Sequence, residues 1–268
     1  MSTVTAAVHG RVGREMLVSG NWKMNHQHYE AIHFVQKLAA IVRARPFPLG
    51  RAASLHPSFT SLRSVQAAVE SDGVPVALGA QDCHQAPAGA FTGEVSAEML
   101  AKLNVAYVIV GHSERRSQFG ETDEIVRAKV DAVVSHAMTP ILCVGESLDE
   151  RESGGAFEKV TGQLAAAMSG RAAEAAAGMV VAYEPIWAIG TGRNAGPAEA
   201  EEMAAHVRSE IRRLCGSTAG EGVRIQYGGS VTPDNAAELL ACANVDGFLV
   251  GGASLEADGF AEIVRAGA

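Results

Sequence analysis

Four polar residues, Asn21, Lys23, His112 and Glu184, each stand just after a short apolar run. Glu184 could act as a base whose pKa rises when a loop excludes water. His112 precedes a possible helix start, and a helix N-terminus would keep its imidazole neutral and able to pass a proton between two oxygens. Lys23 and Asn21 could hold an anionic substrate or a developing oxyanion. Together these side chains predict proton transfer beside a carbonyl group.

Each of these residues also has an ordinary structural interpretation. Glu184 could be a helix N-cap or a surface acid, and His112 could be a structural hydrogen-bonding group. Lys23 could be a solvated lysine in the first turn of a helix, and Asn21 a turn residue. The segment 185–192 favours a catalytic role for Glu184, because its rigid Pro-Ile-Trp start and its Gly-Thr-Gly end have the composition of a moving lid.

Two glycine-rich loops, Gly228-Gly229-Ser230 and Gly251-Gly252, follow the last two apolar runs. One Gly-Gly pair is usually only a turn, but backbone amides in such loops can bind phosphate. The histidines show no metal-ligand spacing, and the chain has no G-x-G-x-x-G motif, so neither a metal nor another cofactor is expected. The remaining chemistry is cofactor-free proton transfer on a small phosphorylated substrate.

Eight short apolar runs predict eight strands. Because they lack polar alternation, we expect strands that are buried on both faces, as in a parallel sheet covered by helices. The runs cover residues 16–19, 52–55, 76–80, 107–110, 141–144, 179–183, 223–227 and 247–250. Helices between them are predicted by apolar residues at helical spacing, which are Phe157, Val160, Leu164 and Met168 in one segment and Met203, Val207, Ile211 and Leu214 in another.

The predicted fold class is α/β, as a single (β/α)8 barrel. A doubly wound open sheet fits the same alternation of strands and helices, but its ligand site gathers at one switch point. A barrel brings the carboxyl ends of all its strands to one mouth, which suits polar residues dispersed over the whole chain. Ser96 and the Thr232-Pro233 pair predict two of the helix starts.

Composition limits the function classes. The 268 residues carry a formal charge of −8, which argues against a generic nucleic-acid surface, and no apolar stretch approaches a membrane span. Four cysteines without C-x-x-C spacing predict buried free thiols and a cytoplasmic location. We expect residues 1–15 to form a flexible N-terminal tail and residues 16–268 to form the catalytic barrel.

Several strings in the chain resemble one family, the triosephosphate isomerases. In order, they are GNWKMN (20–25), GAFTGE (89–94), YVIVGHSERR (107–116), ILCVGE (141–146), AYEPIWAIGTG (182–192), YGGSV (227–231) and GFLVGGASL (247–255). The resemblance runs from about residue 16 to the C-terminus and implies the TIM-barrel fold. It also implies the interconversion of dihydroxyacetone phosphate and D-glyceraldehyde 3-phosphate, in glycolysis and gluconeogenesis.

The resemblance assigns roles by position. It implies that Glu184 moves the proton between carbons, that His112 acts on the oxygens, and that Lys23 and Asn21 polarise the substrate. The phosphate would be bound by amides of Gly190, Ser230, Gly251 and Gly252. The supporting residues would be Glu114, paired with Lys23, together with Ser113 and Thr92.

The family also implies a homodimer, in which the loop 89–94 places Thr92 against the partner's Asn21 and Lys23. The chain differs from the usual family sequence at two places, which are Asp82, at a position near the interface, and Arg193-Asn194, at the far hinge of the lid. A related isomerase acting on a tetrulose phosphate remains an alternative. A further alternative is a phosphate-binding scaffold without catalytic activity. Such a protein would be expected to have lost Glu184, His112 or Lys23, but this chain keeps all three.

Overall fold

The computed structural model describes residues 13–188 and 195–267. Its eight strands are β1 (Met16–Asn21), β2 (Arg51–His56), β3 (Ala77–Ala80), β4 (Tyr107–Val110), β5 (Thr139–Val144), β6 (Val180–Tyr183), β7 (Arg224–Tyr227) and β8 (Gly247–Val250). Each strand pairs in parallel with the next, and β1 also pairs in parallel with β8. This closure confirms the predicted (β/α)8 barrel and excludes the open sheet.

Helices cover the outside of the barrel. In chain order they are α1 (His28–Ala44), α2 (Leu62–Asp72), α3 (Ala97–Ala101), α4 (Ser113–Phe119), α5 (Asp123–Ser135), α6 (Leu148–Glu152), α7 (Ala156–Met168), α8 (Ala173–Ala177), α9 (Pro197–Cys215), α10 (Ser217–Gly222), α11 (Pro233–Leu240) and α12 (Ala257–Arg265). The two segments predicted from helical spacing are α7 and α9. One position in α7 differs from the pattern, because Phe157 is 39% exposed and packs edge-on against His206 instead of the core.

The strands are buried on both faces, which explains their continuous apolar runs. Ile141 and Cys143 of β5 belong to a small cluster inside the barrel, whereas Leu142 and Val144 pack in the larger layer between strands and helices. β1 is longer than predicted. Gly20 and Asn21 stay in register with β2, so Asn21 ends the strand instead of following it.

The predicted helix starts are present. The Ser96 side chain accepts a hydrogen bond from the Met99 N–H at the start of α3. At the start of α11, Pro233 occupies the first turn and the Asn235 side chain accepts from the Thr232 N–H at 2.8 Å. These caps fix where the chain leaves the barrel mouth and turns back along its outside.

The folded body begins before residue 16. Residues 1–12 of the predicted tail lie outside the described residues, but Arg14 is bound to the end of the barrel opposite the mouth. Its Nε lies 2.9 Å from Asp246 Oδ1, and Arg208 Nη2 lies 2.6 Å from Asp246 Oδ2. The fully buried Asp246 carboxylate therefore ties the segment before β1 to α9 and β8.

None of the four cysteines forms a disulfide, and all but the half-buried Cys242 are buried. Within the described ranges, no helix has the length and the apolar character that crossing a bilayer requires.

Candidate active site

A cavity of about 360 Å³ opens at the carboxyl ends of the strands. The predicted residues that line it are Asn21, Lys23, His112, Glu184, Ser230, Gly251 and Gly252. These residues come from β1, β4, β6, β7 and β8 or directly follow them, so the barrel brings distant parts of the chain together. Gly190 and the far hinge of the predicted lid, at 192–194, lie outside the described residues.

Glu184 is placed by two neighbouring strands. It directly follows β6, and its N–H donates to the carbonyl of Val144 at the end of β5 at 2.8 Å. Gly145 faces it so closely that a Cβ there would lie 1.9 Å from the Glu184 carbonyl oxygen. Only a residue without a side chain allows this backbone approach. The position of the carboxylate therefore depends on a glycine in the neighbouring loop.

The Glu184 carboxylate is almost fully buried and has two partners. Its Oε1 lies 2.9 Å from His112 Nε2, and its Oε2 accepts from the Ser113 N–H at 2.9 Å. Burial raises the pKa of Glu184, but His112 and the Ser113 N–H together lower it by more than burial raises it. The net pKa is therefore below the usual range. The direction is opposite to that expected from the sequence, because the carboxylate has gained these donors.

His112 caps the N-terminus of α4. Its Nδ1 accepts a hydrogen bond from the Glu114 N–H at 3.2 Å, and a nitrogen that accepts carries no hydrogen. The neutral ring therefore presents Nε2–H to Glu184. Burial lowers the pKa of His112, whereas the nearby Glu184 carboxylate and Glu114 raise it, and the net pKa is raised. The helix terminus favours the neutral ring as expected, but the carboxylate at 2.9 Å opposes it.

Lys23 is held in an unusual backbone conformation. Its φ is 53°, in the left-handed region that residues with a side chain rarely adopt. Its N–H lies 3.1 Å from Asn21 Oδ1, and its Nζ lies 2.6 Å from Glu114 Oε1. Strained residues of this kind persist where the surroundings fix them, and they cluster at functional sites.

The glycine loops form the rim on the side of β7 and β8. Gly229 packs against Tyr227, where a Cβ would lie 2.1 Å from the phenol oxygen. A 3-10 turn, Gly252–Ser254, follows β8, and Gly251 lies beside the Lys23 side chain. The rim therefore combines exposed backbone amides with a nearby ammonium group, which suits an anion.

Glu146 was not identified from the sequence. It is fully buried at the end of β5 and accepts hydrogen bonds from Tyr183 Oη at 3.0 Å and Trp187 Nε1 at 2.7 Å. Arg151 Nη1 lies 3.1 Å from the same carboxylate. The sequence did contain a pattern that could have identified it, because Glu146 follows an apolar run as Glu184 does. It anchors the start of the segment that leads away from Glu184.

Thr92 does not reach the cavity within one chain. It lies in the exposed loop 89–94, where Phe91 packs on His84 with ring centroids 4.1 Å apart. Asp82, one of the two departures from the family, is buried, and Lys129 Nζ lies 2.7 Å from its Oδ1.

Arg115 and Arg116 form ion pairs. Arg115 Nε lies 2.9 Å from Asp82 Oδ2, and Arg116 Nη1 lies 2.6 Å from Asp123 Oδ1. Both arginines follow His112 in α4 but point away from the cavity toward these carboxylates. They stabilise the surroundings of the site and take no part in lining it.

Comparison with known proteins points to one family. The family model described as "Triosephosphate isomerase" matches residues 16–267. A triosephosphate isomerase of Streptomyces coelicolor is 50% identical over 252 residues, covering 94% of this chain and 97% of the relative. One from Corynebacterium efficiens is 48% identical over 252 residues, covering 94% and 96%, and one from Bifidobacterium longum is 50% identical over 250 residues, covering 93% and 94%.

Proposed function

The chain belongs to the triosephosphate isomerase family, and we propose that Glu184, His112 and Lys23 perform the family's reaction in it. The protein is an aldose-ketose isomerase that interconverts dihydroxyacetone phosphate and D-glyceraldehyde 3-phosphate, a step of glycolysis and gluconeogenesis. The observation that carries the assignment of roles is the contact of Glu184 Oε1 with His112 Nε2 at 2.9 Å, in a cavity that Lys23 also lines.

In this mechanism Glu184 is the base. Its carboxylate takes a proton from C1 of dihydroxyacetone phosphate, and the electron pair of that C–H bond forms the C1–C2 double bond of an enediolate. The carbonyl π electrons move onto O2. Return of the proton from Glu184 to C2 completes the aldose. The lowered pKa of Glu184 keeps the carboxylate ionised and ready for the first step.

His112 moves the proton between the two oxygens. With Nδ1 accepting from the Glu114 N–H, the only ring hydrogen is on Nε2. Nε2 donates this hydrogen to O2 of the enediolate and takes the hydrogen of the O1 hydroxyl in exchange. A neutral imidazole suits this exchange, because its Nε2–H is closer in proton affinity to an enediol than an imidazolium would be.

Lys23 and Asn21 stabilise the negative charge that develops on the substrate oxygens. The phosphate binds to the amides of Ser230, Gly251 and Gly252, and the family resemblance adds Gly190. Closure of the segment after Glu184 would exclude water, which matters because an exposed enediolate would expel its phosphate. The anchoring of Trp187 on Glu146 supports a defined starting point for such a lid.

The active form is a homodimer in this proposal. The loop 89–94 is exposed throughout, and Met24, next to Lys23, is 97% exposed. An exposed methionine beside a substrate-binding lysine, and an exposed aromatic loop that lacks a contact with its own site, suit contact with a second copy. Thr92 would then support Asn21 and Lys23 of the partner. Four cysteines without a disulfide suit a cytoplasmic location.

The test is a coupled assay of the purified chain with dihydroxyacetone phosphate, in which a dehydrogenase reports D-glyceraldehyde 3-phosphate. We expect turnover without added metal or cofactor. A parallel assay with a tetrulose phosphate compares kcat/KM for the two substrates. A higher kcat/KM for the tetrulose phosphate would show that it, and not dihydroxyacetone phosphate, is the preferred substrate. If neither compound is turned over, the proposed function is wrong.

A further inference from the structure

A chain of buried polar side chains crosses the barrel interior beside the site. It runs from Gln226 in β7 through Ser19 in β1 and Ser54 in β2 to His56, and all four residues are completely buried. Gln226 Nε2 lies 2.8 Å from Ser19 Oγ, which lies 3.0 Å from Ser54 Oγ. Ser54 Oγ lies 2.9 Å from His56 Nε2. The proposed mechanism uses none of these groups.

The hydrogen bonds fix one form of the His56 ring. Its Nδ1 lies 3.0 Å from the Ala80 carbonyl oxygen, which can only accept, so Nδ1 carries a hydrogen. Nε2, which lies 2.9 Å from Ser54 Oγ, then carries no hydrogen in the neutral ring. Burial lowers the pKa of His56 to about 4, with a smaller opposing effect of the Ala80 hydrogen bond. The ring is therefore neutral near pH 7 and links β2 to β3.

The space for this ring is provided by a glycine. A Cβ at Gly79 would lie 2.2 Å from Cε1 and 2.3 Å from Nδ1 of His56. Gly79 and His56 thus form a matched pair across the β2–β3 contact. A smaller side chain at position 56 would leave a hole there and would lose the hydrogen bond to the Ala80 carbonyl.

The backbone of His56 connects this network to Lys23. Its carbonyl oxygen accepts from the Trp22 N–H at 3.2 Å and from Gln81 Nε2 at 2.9 Å. The same Gln81 nitrogen donates to the Lys23 carbonyl at 2.8 Å. The Trp22 N–H, directly, and the Lys23 carbonyl, through the Gln81 amide, are therefore tied to the carbonyl oxygen of His56.

Lys23 needs such support because its backbone is strained. A residue with a side chain at φ 53° keeps that conformation only where the surroundings determine it. We infer that His56 is a positioning residue. Its ring, held by the Ala80 hydrogen bond and by the space over Gly79, fixes the place of its own carbonyl oxygen, which in turn holds Lys23 through Gln81 and Trp22 with its ammonium group directed at the substrate. This inference rests on the proposed role of Lys23 in substrate binding.

The experiment is a double-mutant cycle on kcat/KM with His56→Leu, Lys23→Ala and the double variant, all as the full chain. We expect His56→Leu to lower kcat/KM by about 10- to 100-fold, since a displacement of about 1 Å costs that much. In the Lys23→Ala background the same change should have less than about a twofold effect, because the group it positions is gone.

Ser54→Ala is the matched control. It removes the partner of Nε2 but keeps the hydrogen bond from the ring to Ala80, so it should lower the melting temperature while kcat/KM stays within about threefold. His56→Asn, whose amide can still donate to Ala80, should recover part of the activity lost in His56→Leu. If His56→Leu does not fold, Gln81→Leu takes its place in the cycle, because it removes the amide that links the His56 carbonyl to the Lys23 carbonyl.

The inference would be overturned if the effects of His56→Leu and Lys23→Ala on kcat/KM were additive, or if kcat/KM of His56→Leu stayed within threefold of the wild type. Either result would leave the proposed function intact. A Lys23→Ala enzyme as active as the wild type would instead remove the proposed role of Lys23.

Discussion

Glu184 and His112 set each other's proton affinity because they are buried in contact. The carboxylate raises the pKa of His112, and His112 lowers that of Glu184, although burial alone would move both groups the other way. A carboxylate that turned from His112 toward a substrate carbon would lose this partner. Its pKa would then rise and that of His112 would fall, which is the direction that both proposed roles require.

The raised pKa of His112 makes its contribution to stability depend on pH. A group whose pKa is higher in the folded protein stabilises the fold fully below its unfolded pKa, about 6.5, and loses that contribution as pH rises through the folded value. We expect the free energy of unfolding lost in His112→Gln to be larger near pH 5.5 than near pH 9. Urea denaturation of both proteins at several pH values measures it, and a loss that grows with pH would contradict the assignment.

The identity of the site residues could be predicted from the sequence, but their electrostatics could not. Glu184 and His112 follow apolar runs, and that position indicates a barrel mouth. The direction of the Glu184 pKa depends on its distance from His112 and Ser113, which are far away in the chain. His56 was missed because it ends an apolar run and looks like part of a turn before Pro57.

At the scale of elements, the spacing of β5 and β6 positions the base. The Val144 carbonyl accepts from the Glu184 N–H, and Gly145 allows the backbones to approach. The sequence predicted these strands because both read as continuous apolar runs. It could not predict where every strand ends, because a strand continues as long as its neighbour offers hydrogen bonds, as β2 does for Asn21.

Gly145→Ala tests this spacing. The new Cβ would lie 1.9 Å from the Glu184 carbonyl oxygen, so the loop must shift and carry the carboxylate with it. We expect kcat to fall at least about 10²-fold, and the melting temperature to fall as well.

Gly162→Ala is the control for that substitution. Gly162 lies in α7, where a Cβ would have no heavy atom within 4 Å, so alanine should raise the free energy of unfolding by up to about 1 kcal/mol with unchanged kcat. A Gly145→Ala enzyme with normal kcat would show that the close approach does not position the base.

At the scale of the whole molecule, closure of the barrel gathers residues from all parts of the chain. The Asp246 carboxylate, bound by Arg14 and Arg208, ties the start of the barrel to its end on the face opposite the site. The site face instead carries the exposed loop 89–94 and the exposed side chain of Met24. Assembly was predicted only through the family resemblance, because apolar residues on a surface do not by themselves define a partner.

Thr92→Arg tests the shared site. A bulky cation in the proposed interface should separate the subunits, so the protein should elute as a monomer of 27.8 kDa. We expect kcat/KM to fall at least about 10-fold, because Asn21 and Lys23 would lose their support. Thr218→Arg places the same change on an exposed residue of α10 and should alter neither property. Full activity in a proven monomer would refute the shared site.

The most direct test of the account is the turnover of dihydroxyacetone phosphate by Glu184→Asp. The shorter side chain withdraws the carboxylate by about 1 Å while keeping its charge, so the account predicts a fall in kcat of at least about 10²-fold. Far-ultraviolet circular dichroism and the melting temperature should stay close to those of the wild type. A folded Glu184→Asp enzyme with kcat within a few-fold of the wild type would show that another group removes the proton.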